Sequence, residues 1–261
     1  MRLGRALLTD LCVCLGFFTC LPLALPAGTP VTLAGFSRAV RMLPVAGALI
    51  GAFAAAVMAA AATLGLAPLV AAPLAIGALA VLSGAMHEDG LADCADGFFG
   101  GQTRMEKLEI MRESRIGSFG AVALVLSFSL RMSSVVLIAN QNLCLACTVL
   151  TGGAALSRTC GLLPLALLPP ARKDGAGFSA QRPAQGALVV ATLLAVLFAL
   201  APVPAGANLT RALAAMGLAA GSAFAMVLIA KREIGGQTGD VAGAVQQLAE
   251  IAYYLAFAAR G

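Results

Sequence analysis

Long apolar runs follow one another along almost the whole of this 261-residue chain, and they leave it few ways to fold. A helix needs about 20 mostly apolar residues to cross a bilayer. Six segments meet that length: residues 43–66, 68–86, 117–139, 143–168, 186–204 and 211–230. Two further segments are interrupted. The first, 6–25, carries Asp10 and runs into Pro22 and Pro26. The last, 241–259, carries Gln246, Gln247 and Glu250 at neighbouring helical positions. Only 11% of the residues are charged, against about 25% in a soluble domain. The expected fold is all-α: one integral membrane domain over residues 1–261, a helical bundle with six transmembrane helices plus the two interrupted segments.

Charge is unevenly shared among the connecting loops. The stretch 87–116 holds Arg104, Lys107, Arg112 and Arg115. The stretch 169–185 holds Arg172, Lys173 and Arg182, and 231–240 holds Lys231 and Arg232. The loops at 66–68, 140–142 and 205–210 carry no charge. The positive-inside rule places the charged loops on the cytoplasmic face of a cell inner membrane, so segments 87–118, 169–185 and 231–243 are expected to share one side. Arg2, Arg5, Arg38 and Arg41 flank the first segment on both sides, which favours a segment that dips in or lies flat. The net charge of +5 therefore reads as an orientation signal and not as a nucleic-acid surface. The opening run reads as mature chain, because Asp10 breaks it and no small-residue cleavage site follows promptly. The seven cysteines are odd in number and mostly lie in apolar segments, so they read as small buried thiols. With one histidine, the chain offers no zinc ligand set.

The chemistry is concentrated in three stretches. "GAMHEDGLADCADGFFGG", residues 84–101, contains His87, Glu88, Asp89, Asp93 and Asp96. If the preceding helix continues through it, Asp89, Asp93 and Asp96 fall within an arc of about 60°. Three like charges on one face repel unless a cation lies among them. Hard oxygen ligands suit Mg²⁺, with Mn²⁺ as a substitute. A solvated acidic loop is the plainer reading. Glu88 points off this face, and His87 lies nearly opposite: a phosphate contact, a proton shuttle and a structural hydrogen bond all stay open for it. In "RMEKLEIMRESRIGSFG", a helix would put Arg104, Arg112 and Arg115 within an arc of about 80°. With Ser114 between them, these forked cations match phosphate oxygens. Glu109 and Glu113 would pair with the arginines or join the metal. In "EIGGQTGD", the backbone of Gly235, Gly236 and Gly239, with Gln237 and Thr238, would cradle an anion at a helix N-terminus. Asp240 is either a fourth metal ligand or an N-cap. Arg131 and Arg158 lie inside apolar segments, where each either contacts an anionic substrate group or forms a structural ion pair. No P-loop and no dinucleotide fingerprint is present. Together these features point to phosphoryl or nucleotidyl transfer at a membrane face.

"HEDGLADCADGFFG", "LEIMRESRIGSFG" and "GGQTGD" resemble the signatures of the cobalamin synthase family. "FFTCLPLALP", "LPVAGALIGA" and the pair at 157–158 fit the same family, so the resemblance spans nearly the whole chain. Within that pattern Glu88 stands where an apolar residue is more usual, Glu113 where Asp is common, and Cys20 where a basic residue often sits. The resemblance implies transfer of an adenosylcobinamide-phosphate group from adenosylcobinamide-GDP to alpha-ribazole or its 5′-phosphate, with release of GMP, late in cobalamin biosynthesis. It implies Mg²⁺ held by Asp89, Asp93, Asp96 and Asp240. His87, Asp89, Asp93 and Asp96 would carry the chemistry. Arg112, Ser114, Arg115, Arg158, Gly236, Gln237 and Thr238 would bind substrate. The partners expected are the two substrates and the lipid bilayer, with assembly into a homo-oligomer or with other corrinoid-assembly enzymes left open. A membrane phosphatidyltransferase that uses CMP as leaving group is the second reading; Asp93 stands where its motif would have Arg. A secondary transporter is the third; no inverted repeat is evident.

Overall fold

A computed structural model describes residues 2–22, 33–173 and 182–259. Among them, every regular element is helical: α1 (Arg2–Phe18), α2 (Leu33–Ala39), α3 (Leu43–Thr63), α4 (Pro68–Leu82), α5 (Met86–Gly100), α6 (Arg104–Ile110), α7 (Ser118–Gln141), α8 (Leu143–Cys160), α9 (Leu163–Leu167), α10 (Gln185–Ala199), α11 (Leu209–Ile234) and α12 (Gly239–Ala258). Helix starts are written locally. Pro44 and Pro68 occupy first-turn positions, where a missing N–H costs nothing. Asn142, Asn208 and Thr238 each accept a hydrogen bond from the first turn of α8, α11 and α12. Thr103 and Glu106 form a reciprocal capping box on α6, and the two backbone N–H groups it accepts lower the Glu106 carboxyl's pKa.

The membrane arithmetic differs from the hydropathy reading. Four helical stretches are long and apolar enough to cross: Phe36–Thr63, Ser118–Gln141, Leu143–Leu167 and Leu209–Ile234. A fifth exists only if α4 and α5, bent by 87°, count as one span. Six straight spans are therefore not present among the described residues. Segment 68–86 is cut short because Gly84 takes a left-handed φ of 62°, with Ala85 at 55° after it. The bonds Ala85 N–H to Ala80 O (2.7 Å) and Gly84 N–H to Val81 O (3.1 Å) are those of a Schellman stop. So α5 does not continue α4, and at 15 residues α4 alone extends about 22 Å, short of the roughly 30 Å hydrocarbon core. Segment 186–204 stops at Ala199 ahead of Pro202 and Pro204, residues that cannot continue a helix. In the first segment, α1 turns Asp10 inward to Arg41 (2.7 Å) and Arg38 (3.5 Å).

Tight crossings hold the bundle. Gly47 and Gly51 of α3 lie on the α8 backbone, where an added Cβ would stand 2.6 Å from Ala154 O and from Leu150 O. This is a small-xxx-small contact, the means by which helices approach closely in lipid. On α11, Ala212, Ala215, Ala219, Ala223 and Ala230 are fully buried and form one stripe against α12. The last segment thus becomes an inner helix: α12 packs on α5, α7, α8 and α11, and its buried residues lie all around its axis.

Candidate functional site: a carboxylate junction between two cavities

The site is built where α5 crosses α12. Gly90 touches the Asp240 backbone: a Cβ there would stand 2.7 Å from Asp240 O and 3.0 Å from its Cα. One turn earlier, Gly243 faces His87 at 3.3 Å by the same measure. No larger residue at 90 permits this approach, and the approach brings the Asp89–Asp93 side of α5 to the first turn of α12. Asp93 accordingly feels the negative charge of Asp89, Asp240 and Asp96, opposed by Arg172. Arg172 donates to Asp240 Oδ2 at 3.2 Å.

Three loops are stitched around this crossing. Ala171 N–H donates to Gln237 O (2.8 Å) and Gln237 N–H to Pro169 O (2.9 Å). Gly236 is pressed on the same strand-like turn, where a Cβ would meet Pro169 O at 2.5 Å. Arg104 packs over Gly235 and donates to Ala171 O at 3.1 Å. Lys107 forms an ion pair with Glu233. The charged loops therefore do gather at one end of the bundle. At the other end, Asn142 donates to Ala205 O (3.2 Å), joining two of the uncharged loops.

Several expected residues are placed differently from their sequence reading. Asp96 lies on α5 with Asp89 and Asp93, but its Oδ2 accepts from Gly117 N–H (2.7 Å) and its Oδ1 from Gly120 N–H (2.8 Å). It holds the N-terminus of α7. The helix expected to carry Arg104, Arg112 and Arg115 together ends at Ile110, so the shared arc does not form. Ser114 and Arg115, with Glu113, instead line a cleft shared with Asp89 and Asp93. Arg112 lies outside that lining, and Glu109 lines neither cavity. The Gln237 N–H is used by Pro169, and Thr238 Oγ1 accepts from Val241 N–H (3.3 Å), so Thr238 and not Asp240 is the N-cap of α12. Arg172 was legible only as a loop charge. A basic residue shortly after a Pro-Pro pair carries no mark of its carboxylate partner.

Two cavities meet at Asp89. The first has Phe17, Phe18, Leu165, His87, Arg158 and Asp240 in its wall. The second has Asp93, Glu113, Ser114 and Arg115. Asp89 lines both. His87 is buried and stacks on Phe18, ring centroids 5.9 Å apart and planes within 4°. Beneath the junction lies a second polar layer. Glu88 pairs with Arg131 (3.1 Å), which also reaches Glu250 (3.3 Å), and Glu250 stands 3.8 Å from Arg158. Gln247 donates to Glu88, and Ser157 and Gln246 to Glu250. Both intramembrane arginines thus have carboxylate partners, as charges in an apolar bundle require. Among the described residues no three His, Cys, Asp or Glu side chains enclose one point as a ready-made metal cage.

The fold and the site define a multi-helix membrane protein that presents carboxylates and arginines at one end of its bundle. The chain belongs to the CobS family, whose model, described as cobalamin-5-phosphate synthase, matches residues 10–258. It is 45% identical to the adenosylcobinamide-GDP ribazoletransferase of Azorhizobium caulinodans, over 98% of this chain and 97% of that one. Similarity to the proteins of the same name from Bradyrhizobium diazoefficiens (40%, 98% and 95%) and Xanthobacter autotrophicus (41%, 98% and 97%) is comparable. No solved structure matches.

Proposed function

We propose that this protein is an adenosylcobinamide-GDP ribazoletransferase: it moves the adenosylcobinamide-phosphate group onto alpha-ribazole or its 5′-phosphate and releases GMP, late in cobalamin biosynthesis. Full-length identity to curated ribazoletransferases supports the activity. The single observation that carries the site is the Gly90–Asp240 contact, which joins two of the three signature motifs around Asp89.

In this reading a ribazole hydroxyl oxygen bonds to the cobinamide-side phosphorus. The bridging P–O bond breaks, and GMP departs with the bridging oxygen. Catalysis of such a transfer rests on positioning and charge neutralisation. Arg115 and Ser114 hold phosphate oxygens in the second cavity, and Arg112 is a further phosphate contact. His87 and Asp89 both face the first cavity, and one of them takes the hydroxyl proton. Asp89, Asp93 and Asp240 offer the hard carboxylate oxygens a divalent cation takes, but they do not close around one point, so substrate phosphate oxygens would have to complete the site; Asp96 fits poorly, since both its oxygens already accept backbone N–H groups. Bound there, Mg²⁺ or Mn²⁺ would neutralise the diphosphate and the departing phosphate. Arg172 offsets the carboxylate charge and keeps Asp240 in place. The loops at 87–118, 169–185 and 231–243 face the cytoplasm of a bacterial cell; a reporter fused after Lys173 appearing on the outer face would reverse that orientation.

The test is to incubate purified protein in lipid with adenosylcobinamide-GDP and alpha-ribazole, with and without Mg²⁺. GMP and the completed corrinoid are expected in equal amounts, and only with the metal. Metal-independent release of GMP would remove the cation from the reading. Absence of GMP under all conditions would remove the reaction.

A further inference from the structure

The two cavities differ in chemistry, and the difference assigns the acceptor. We propose that the first cavity is the subsite for the benzimidazole base of ribazole, built by the ends of α1 and α2 against α5, α8 and α12; this deepens the reaction proposed above and rests on it.

Three observations support the assignment. First, the wall is a set of aromatic and aliphatic faces. Phe17 contacts Phe18 (4.8 Å between centroids) and Phe36 (5.0 Å), and Phe18 lies parallel to His87. Flat bases stack on such surfaces. Second, two of the polar groups there, Gln246 and Asp240, are already engaged. Gln246 donates to Ser157 Oγ (2.9 Å) and Glu250 (2.9 Å), and its Oε1 accepts from Gln247. Asp240 accepts from Arg172. A guanine stacked at the aromatic end would bring an edge of donors and acceptors to Phe17, Phe18 and Phe36, which have no partner for it, a mismatch that costs affinity. A benzimidazole brings one ring-nitrogen acceptor. Arg158 lies in the same wall, 3% exposed, and its Nε has no hydrogen-bond partner among the described residues. Third, the cavity opens onto Asp89, which it shares with the phosphate-binding cleft. A base seated against Phe18 would direct its ribose hydroxyls toward that junction. This gives the opening "FFTCLP" stretch a task that its sequence alone did not reveal.

Kinetics and a direct titration test the proposal in the full-length protein held in lipid nanodiscs. Phe18→Ala and Leu165→Trp, the first removing a stacking face and the second filling the cavity, are expected to raise KM for ribazole about tenfold, the effect of losing one base-stacking contact. KM for adenosylcobinamide-GDP should stay within about twofold, and Arg115→Gln should show the reverse pattern. Because the chain contains no tryptophan, Phe17→Trp supplies a lone fluorophore in the cavity wall. Ribazole alone should change its emission saturably, and GMP should not. Three results would overturn the assignment: a response to GMP in place of ribazole, a rise in KM for the donor in the Phe18 and Leu165 variants, or an introduced indole silent to both ligands in an active enzyme, which would mark a lipid-filled groove. The titration needs no turnover, so it still decides the cavity if the wild-type protein releases no GMP.

Discussion

Glu88 and Asp89 are adjacent residues on one helix, and the fold sends them to opposite fates. A step of about 100° on α5 turns Glu88 into a buried layer where two carboxylates, Glu88 and Glu250, meet two guanidinium groups, Arg131 and Arg158. The same step turns Asp89 into the junction of two cavities, where Asp89, Asp93 and Asp240 gather beside Arg172. The inner layer is balanced within the chain and fixes how α5, α7, α8 and α12 sit. The outer one is left acidic, which is the condition for taking up a cation and a substrate. Buried charge serves architecture in the first case and chemistry in the second.

That contrast can be broken experimentally. Asp93→Asn should lower turnover by about a thousandfold, since charge stabilisation at the reacting phosphate is a large term in such transfers. Its thermal midpoint should stay unchanged or rise, because a repelling charge is removed. A large loss of stability instead would place Asp93 with the structural layer. Arg131→Met should do the opposite: it strands Glu88, leaves Glu250 with Arg158 as its one charged partner among the described residues, and should cost about 3–5 kcal/mol of stability, the penalty for breaking a buried pair. Adding Glu88→Gln should recover part of that loss in a denaturation series, while Asp89→Asn should recover none. The smallest effect is expected for Asp96→Asn. It weakens two hydrogen bonds to the start of α7 and should cost about 1–2 kcal/mol, with turnover falling less than tenfold. A thousandfold loss would return Asp96 to the metal.

The parts of this design legible in the sequence are those carried by local spacing. Asp89 and Asp93 sit one helical turn apart, and α5 is a helix, so their shared face could be read directly. Loop charge grouped Arg172, Gly236 and Asp240 at one end. The unread parts are long-range or written in backbone. Asp96 is taken by the amides of Gly117 and Gly120, which carry no side-chain signature. Arg131 and Glu250 were each visible as charges in apolar surroundings, but 119 positions separate them, and no periodicity links such distant residues. Among the described residues fewer than six helices have the length and apolarity of a span, since hydropathy does not register a left-handed pair such as Gly84–Ala85.

The elbow at Gly84–Ala85 also makes the partition between the two carboxylate layers a matter of register. Both ends of α5 are anchored, by the hydrogen-bonded turn before it and by the clamp of Asp96 on α7, so the helix has no slack in which to rotate. Adding one residue between Ala85 and His87 would swing each later side chain by about 100°. His87 would then take the place of Glu88 and Glu88 that of Asp89, so the buried Arg131 would lose its carboxylate and the enzyme its cation pole, without the loss of a single functional group.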